Sequence, residues 1–228
     1  MLQLTPILIA VASALVMYRI SVWRTTRELG ARSTRLVDPG LTHTFDRLAE
    51  ALDIAQLPVN IYEIDPVNGM AAPDGQIYLT RGFYNRYRAG EITAEEMAGV
   101  IAHELGHVAL GHSRRRMIDF GGQNAVRVVL ASILGRFIPG VGILIANFLS
   151  GLLMARLSRQ DEYEADAYAA ALMSKAGFGT APQISLLQKM DKLTGMAGRP
   201  PLWTASHPHT PDRIQAIEAL EAKWHGNR

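Results

Sequence analysis

The chain has 228 residues, room for one domain plus a short appendage, and its 48% hydrophobic and 19% charged residues exclude disorder as the main state and favour some membrane contact. A net charge of +2, with no face of clustered basic residues interleaved with aromatics, excludes nucleic acid as a partner. With no cysteine, disulfides, thiol catalysis, Cys-ligated metals and a lipid-modified N-terminal Cys are excluded as well.

Met1 to Tyr18 carries no charged side chain, and Ile7 to Met17 is nearly all apolar. A bilayer core needs about 20 apolar residues as a helix, so this run predicts one N-terminal transmembrane helix near the lower length limit. A secretory signal peptide is the rival, but its basic residues precede the apolar run, whereas here Arg19, Arg24, Arg27, Arg32 and Arg35 follow it. Trp23 stands where an interfacial aromatic belongs. The expectation is a single-pass cell-membrane protein with membrane lipid as a partner, its N-terminus outside and its body cytoplasmic. Residues 1–35 form the anchor and basic juxtamembrane segment, and residues 36–228 the folded domain.

Downstream, His43 to Ala55 reads as a helix that ends near Pro58. Val59 to Ile64 and Gln76 to Thr80 alternate and read as short strands joined through the turn-rich Asp65 to Gly75. Thr93-Ala-Glu-Glu96 is a capping box that opens a long helix running to about Met117. Arg159 to Lys175 reads as a helix stopped by Gly177, followed by helices near Pro182–Leu193 and Pro211–Trp224. The predicted fold class is α+β, mainly helical, with a small sheet.

His103-Glu104-Leu105-Gly106-His107 carries the chemistry. On a helix, residues four apart lie about 40° apart around the axis, so both imidazoles can bind one Zn²⁺ while Glu104 reaches a water in the open position. The third ligand is not the His of the extended pattern, because Leu110 and Ser113 occupy its Gly and His positions. His112, on a continuing helix, lies about 180° from His103 and cannot close the same site. Ser158-Arg-Gln-Asp-Glu162-Tyr-Glu-Ala-Asp166 offers a carboxylate instead, or else merely an acidic solvated face. Glu162 and Asp166 share a helix face with Ala165 and Ala169, small enough for close packing, while Glu164 lies about 160° around from Glu162.

These two segments resemble the gluzincin zinc metallopeptidases related to HtpX and to the CAAX prenyl proteases. Asn68-Gly-Met-Ala71 is similar to that family's Asn-Ala-x-Ala element beside a substrate-binding edge strand, with Gly69 a departure, and Ser206-His207-Pro208 followed by Arg213-Ile214 is similar to its His-Pro element. The resemblance implies a zincin-type domain with His103, His107 and Glu162 as ligands of one Zn²⁺ and Glu104 as general base. It implies Asp166 orienting a ligating His, and Asn68 and His207 as catalytic residues that hold the substrate and stabilise the oxyanion. Peptide would bind in extended form along the strand around Gln76–Thr80.

Phe137 to Ala155 is a second stretch without a charge. A single crossing there would put the two histidines and Glu162 on opposite sides of the membrane. The segment 117–157 is therefore expected to be an apolar helical insert that lies on the membrane or over the cleft. The overall expectation is a membrane-anchored zinc endopeptidase acting on extended segments of proteins, in membrane-protein quality control. A non-catalytic zinc-binding membrane scaffold or regulatory module is the alternative. The oligomeric state is not legible in the sequence.

Overall fold

In a computed structural model, the protein is described at residues 4–72, 74–112, 115, 136, 142–194, 207 and 211–226. The order is α1 (Leu4–Ala31), β1 (Ser33–Arg35), α2 (Pro39–Ala51), β2 (Val59–Tyr62), β3 (Gly69–Ala71), β4 (Ile77–Thr80), α3 (Arg81–Arg88), α4 (Ala94–Ala109), α5 (Gly142–Lys175), α6 (Ala181–Thr194) and α7 (Pro211–Gly226). The expected α+β class, mainly helical with a small sheet, is the observed one.

The sheet runs β1-β2-β4-β3. β1 is antiparallel to β2, β2 parallel to β4, and β3 antiparallel to β4. Every side chain of β4 is buried, as befits an inner strand. A strand with both edges paired has no backbone groups left for a peptide, which corrects the expectation that Gln76–Thr80 is the peptide-binding strand. β3 is the strand at the edge on that side.

The capping box is real: Thr93 Oγ1 accepts from the Glu96 N–H, and Glu96 Oε2 accepts from the Thr93 N–H. The helix it opens stops at Ala109 and not near Met117. Gly111, with φ of +66°, takes the left-handed turn that ends it. The second helix starts four residues earlier than expected, because Asp38 caps it, accepting from the Gly40 N–H, and Pro39 supplies its first turn.

The core lies between the sheet and the α2–α4–α5–α6 layer, built on Leu48, Ile77, Leu79, Phe83, Ile101 and Met173. Within this layer α4 packs on α5 most extensively. A Cβ added at Gly106 would lie 3.0 Å from both the Cα and the carbonyl oxygen of Ala165, so the two backbones touch here. The small Ala165 and Ala169 permit this approach and are fully buried, as the spacing predicted.

The N-terminal apolar run is helical, but α1 continues without a break through Arg19, Arg24, Arg27 and Glu28. Among the described residues no helix is long and apolar enough to cross a membrane, so the expected transmembrane helix is not found there. The C-terminal end of α1 docks on the body, with Leu29 buried against Tyr62, Ala72 and Tyr78. The second apolar stretch divides: residues 142–157 form the first half of α5, continuous with the helix that bears Glu162. Of the expected insert, residues 117–135 and 137–141 lie outside the described residues.

Candidate metal centre

Three side chains from two crossing helices converge. On α4, His103 Nε2 and His107 Nε2 are 3.2 Å apart. From α5, Glu162 places Oε2 3.4 Å from His103 Nε2 and Oε1 3.4 Å from His107 Nε2. A tetrahedral zinc with bonds of 2.0–2.1 Å needs its ligand atoms about 3.4 Å from one another, which is the spacing found. All three side chains are buried. The close crossing at Gly106 and Ala165 is what brings the carboxylate within this distance. The donor set and its spacing fit one zinc ion held by His103, His107 and Glu162.

Electrostatics separates the two histidines when no cation is present. Burial alone would push His103 down, but its hydrogen bonds to Asp166 and Glu162 outweigh burial and hold it at about 9. Burial, together with the charge on His103, pushes His107 down to about 2. Burial also acts against the Glu162 carboxylate, yet the hydrogen bonds from His103 and His207 keep it ionised, far below the ordinary range.

Asp166 lies beside His103 Nδ1, with Oδ1 at 2.9 Å, as a residue that orients a ligating imidazole should. It is gripped from behind by Arg213 of α7, whose Nε and Nη2 donate to Oδ2 at 2.6 Å and Oδ1 at 2.7 Å. Arg213 Nη1 also reaches Glu162 Oε2 at 3.3 Å. No role for Arg213 is legible in the sequence. Its only signal was the place it takes after the His-Pro element.

Glu104 is buried, and its Oε1 makes no well-aligned hydrogen bond among the described residues, its neighbour there being His207 Nε2 at 3.3 Å. It stands outside the converging donor set, on the helix that carries two of its members. Asn68, at the start of the edge strand, is likewise buried with its Oδ1 unsatisfied. A Cβ on Gly69 would lie 2.8 Å from Val100 Cγ1 and 3.6 Å from Glu104 Cγ. The glycine that departs from the family pattern therefore lets β3 press against α4 beside Glu104. His207 enters the metal centre itself: Nδ1 is 3.3 Å from His103 Nε2 and 3.0 Å from Glu162 Oε2, and Nε2 is 3.3 Å from Glu104 Oε1. It therefore joins the convergent donors as well as facing the general-base candidate.

His112 does not continue α4. After the turn at Gly111 its Nδ1 comes 2.7 Å from His107 Nδ1, and its Nε2 comes 3.2 Å from Glu164 Oε2. Glu164, which spacing placed away from the ligand face, is thereby tied to the metal centre after all.

Two histidines and a glutamate from crossing helices, with a second glutamate inside the His-x-x-x-His turn, define a zinc metallopeptidase domain of the gluzincin type. The sequence model of peptidase family M48 matches residues 36–221, and the chain belongs to that family. It is similar to Metalloprotease LoiP of Escherichia coli, 34% identical over 70% of this chain and 62% of the relative. It is similar to Metalloprotease YcaL of the same organism, 31% identical over 75% of this chain and 66% of the relative. A Protease HtpX homolog of Bordetella petrii is 29% identical over 92% of this chain and 81% of the relative. The matched region spans less than two thirds of LoiP and YcaL.

Proposed function

We propose that the protein is a membrane-anchored zinc endopeptidase that hydrolyses extended segments of proteins near the membrane, in membrane-protein quality control. The observation that carries the peptidase reading is the convergence of His103, His107 and Glu162 beside the buried carboxylate of Glu104. Zinc at this site supplies Lewis acidity, polarising a scissile carbonyl and acidifying water.

In this reading Glu104 takes the proton from the attacking water and passes it to the leaving amine nitrogen as the C–N bond breaks. Asp166, held by Arg213, keeps the His103 ring turned with Nε2 towards the centre. The substrate lies along the edge of β3 as an added strand, which carries its backbone past Glu104. Asn68 and His207 donate to the oxygen that becomes negative. The names of the relatives, metalloprotease and protease, favour the same reaction for this chain.

The anchor reading rests on the uncharged run Met1 to Tyr18 and on the arginines that follow it. Leu15, Val16, Ile20 and Trp23 of α1 are exposed, as are Leu144 and Phe148 at the start of α5, and a lipid surface would cover them. In this reading residues 1–35 hold the protein in the membrane, the N-terminus is outside, and residues 36–228 face the cytoplasm. A C-terminal reporter active only in the cytoplasm should then work, and one that requires export should stay silent.

The experiment for the reaction compares two variants. Glu104→Gln should keep one zinc per chain and lose cleavage of an unfolded protein by about 10²–10⁴-fold. Glu162→Ala should lose the zinc itself. Zinc-loaded protein that cleaves nothing would support the scaffold alternative, and cleavage unchanged by Glu104→Gln would remove Glu104 as the general base.

A further inference from the structure

We propose that His112 is a positioning residue for the metal centre, fixing the proton on His107 through an imidazole–imidazole hydrogen bond anchored on Glu164. The proposal rests on the reading that His107 binds zinc through Nε2. A neutral imidazole bound to a cation through Nε2 carries its remaining proton on Nδ1. That Nδ1 is 2.7 Å from His112 Nδ1, so His107 must donate and His112 must accept. His112, with Nδ1 accepting, carries its own proton on Nε2, and Nε2 points to Glu164 Oε2 at 3.2 Å, with Asp161 Oδ1 at 3.9 Å. Each group in this chain has its complementary partner, and one direction of donation satisfies all of them.

The carboxylate end is held in place. Arg115 Nη1 donates to Glu164 Oε2 at 2.7 Å and lies 3.5 Å from Asp161 Oδ1. His112 is 1% exposed and Asp161 2%, so water does not compete for the bonds at the centre of the relay. Gly111 is what makes the arrangement possible: its left-handed turn redirects the chain immediately after α4 and sets His112 against the flank of His107.

His112, Asp161 and Glu164 could also be taken for a second metal site. Proton placement argues against it. With His107 bound through Nε2, His112 Nδ1 is an acceptor and its Nε2 bears hydrogen, leaving no lone pair for a second cation. Arg115 already neutralises the carboxylates. The cluster is a second layer of the first site, of the kind that turns a ligand ring and strengthens it as a donor.

The test uses the full chain in detergent. Zinc affinity is measured by competition with a chelating dye, and Co²⁺ replaces zinc for visible spectra. His112→Phe should loosen zinc by about 10–100-fold and shift the Co²⁺ bands. His112→Gln keeps an oxygen to accept from His107 and an N–H₂ to donate to Glu164, so it should hold zinc within about threefold of wild type. In the zinc-loaded wild type, ¹⁵N imidazole spectra should show hydrogen on His107 Nδ1 and on His112 Nε2. Wild-type affinity in His112→Phe, a Gln variant as weak as Phe, or hydrogen on His112 Nδ1 would each overturn the proposal. The imidazole spectra decide it even if a variant does not fold. Wild-type protein that binds no zinc would instead remove the metal-centre reading beneath it, a different outcome from zinc-loaded protein indifferent to His112.

Discussion

Arg213 of α7 and Asp166 of α5 form a bidentate pair in which both residues are no more than 2% exposed. Its importance lies in what Asp166 does with its other contact, because the same carboxylate faces His103 Nδ1. The last helix of the described chain is thereby connected to a zinc ligand on α4 through one residue of α5. Arg213→Met should cost about 3–5 kcal/mol in denaturant unfolding, since it leaves a buried carboxylate without its partner. Arg213→Lys should rescue little of that, because an ammonium cannot make the planar two-point contact. A Lys variant as stable as wild type would show the two-point geometry to be unimportant, and a Met variant as stable as wild type would show the same of the pair itself.

Gly106→Ala is a test of the helix crossing. The new Cβ would meet backbone of Ala165, which cannot swing aside as a side chain could. We expect a loss of about 1–3 kcal/mol from overpacking. Zinc should also be held more weakly, because parting α4 from α5 stretches the distances from Glu162 to both histidines. Unchanged unfolding and unchanged zinc affinity would mean that the crossing tolerates more space than its contacts indicate.

What the sequence made legible follows the range of each interaction. The two histidines and Glu104 sit within one helical turn, so their relation needs only helix geometry. Helix spacing leaves Glu162 and Asp166 both open as the third ligand, and it is the resemblance to the gluzincin peptidases that implies Glu162. Arg213 is 47 residues from Asp166, and nothing local to it reports a buried carboxylate. His112 was misplaced because α4 was carried past Ala109, although Leu110-Gly111 held the stop signal. The strands β1 and β3 have three residues each, too few to show alternation. In α3 only Phe83 is buried, so no apolar stripe marked that helix.

His207→Ala distinguishes two uses of the same geometry. If His207 stabilises the oxyanion, its removal should lower kcat by about 10²–10³-fold while KM changes little. Its Nδ1, however, lies at zinc-ligand spacing from His103 Nε2 and close to Glu162 Oε2. Weaker zinc binding together with faster cleavage in His207→Ala would assign it to the metal's fourth corner instead.

The metal-free protein should be most stable near pH 6.5, and the two histidines set this from opposite sides. His103 is raised to about 9, so between 6.5 and 9 the folded chain holds a proton that the unfolded chain has released. Stability from this group is complete below 6.5 and is lost as pH rises through about 9. His107 is lowered to about 2, so between 6.5 and 2 the unfolded chain binds a proton that the folded chain refuses. Its effect is absent above 6.5 and destabilises progressively as pH falls. Below about pH 4 the loss steepens, because Asp166 is also held under its ordinary value: burial opposes its charge, but Arg213 and His103 outweigh that. Urea unfolding in the presence of a chelator, run from pH 5 to pH 9.5, should therefore trace a maximum near 6.5. Zinc should abolish the alkaline limb, because a ligating His103 carries no proton on Nε2 to lose. It should also steepen the acid limb, because His103 then refuses a proton that the unfolded chain binds below 6.5. With saturating zinc the fall between pH 6.5 and 9 should vanish. An alkaline limb that persists unchanged with zinc bound would mean that His103 is not a ligand.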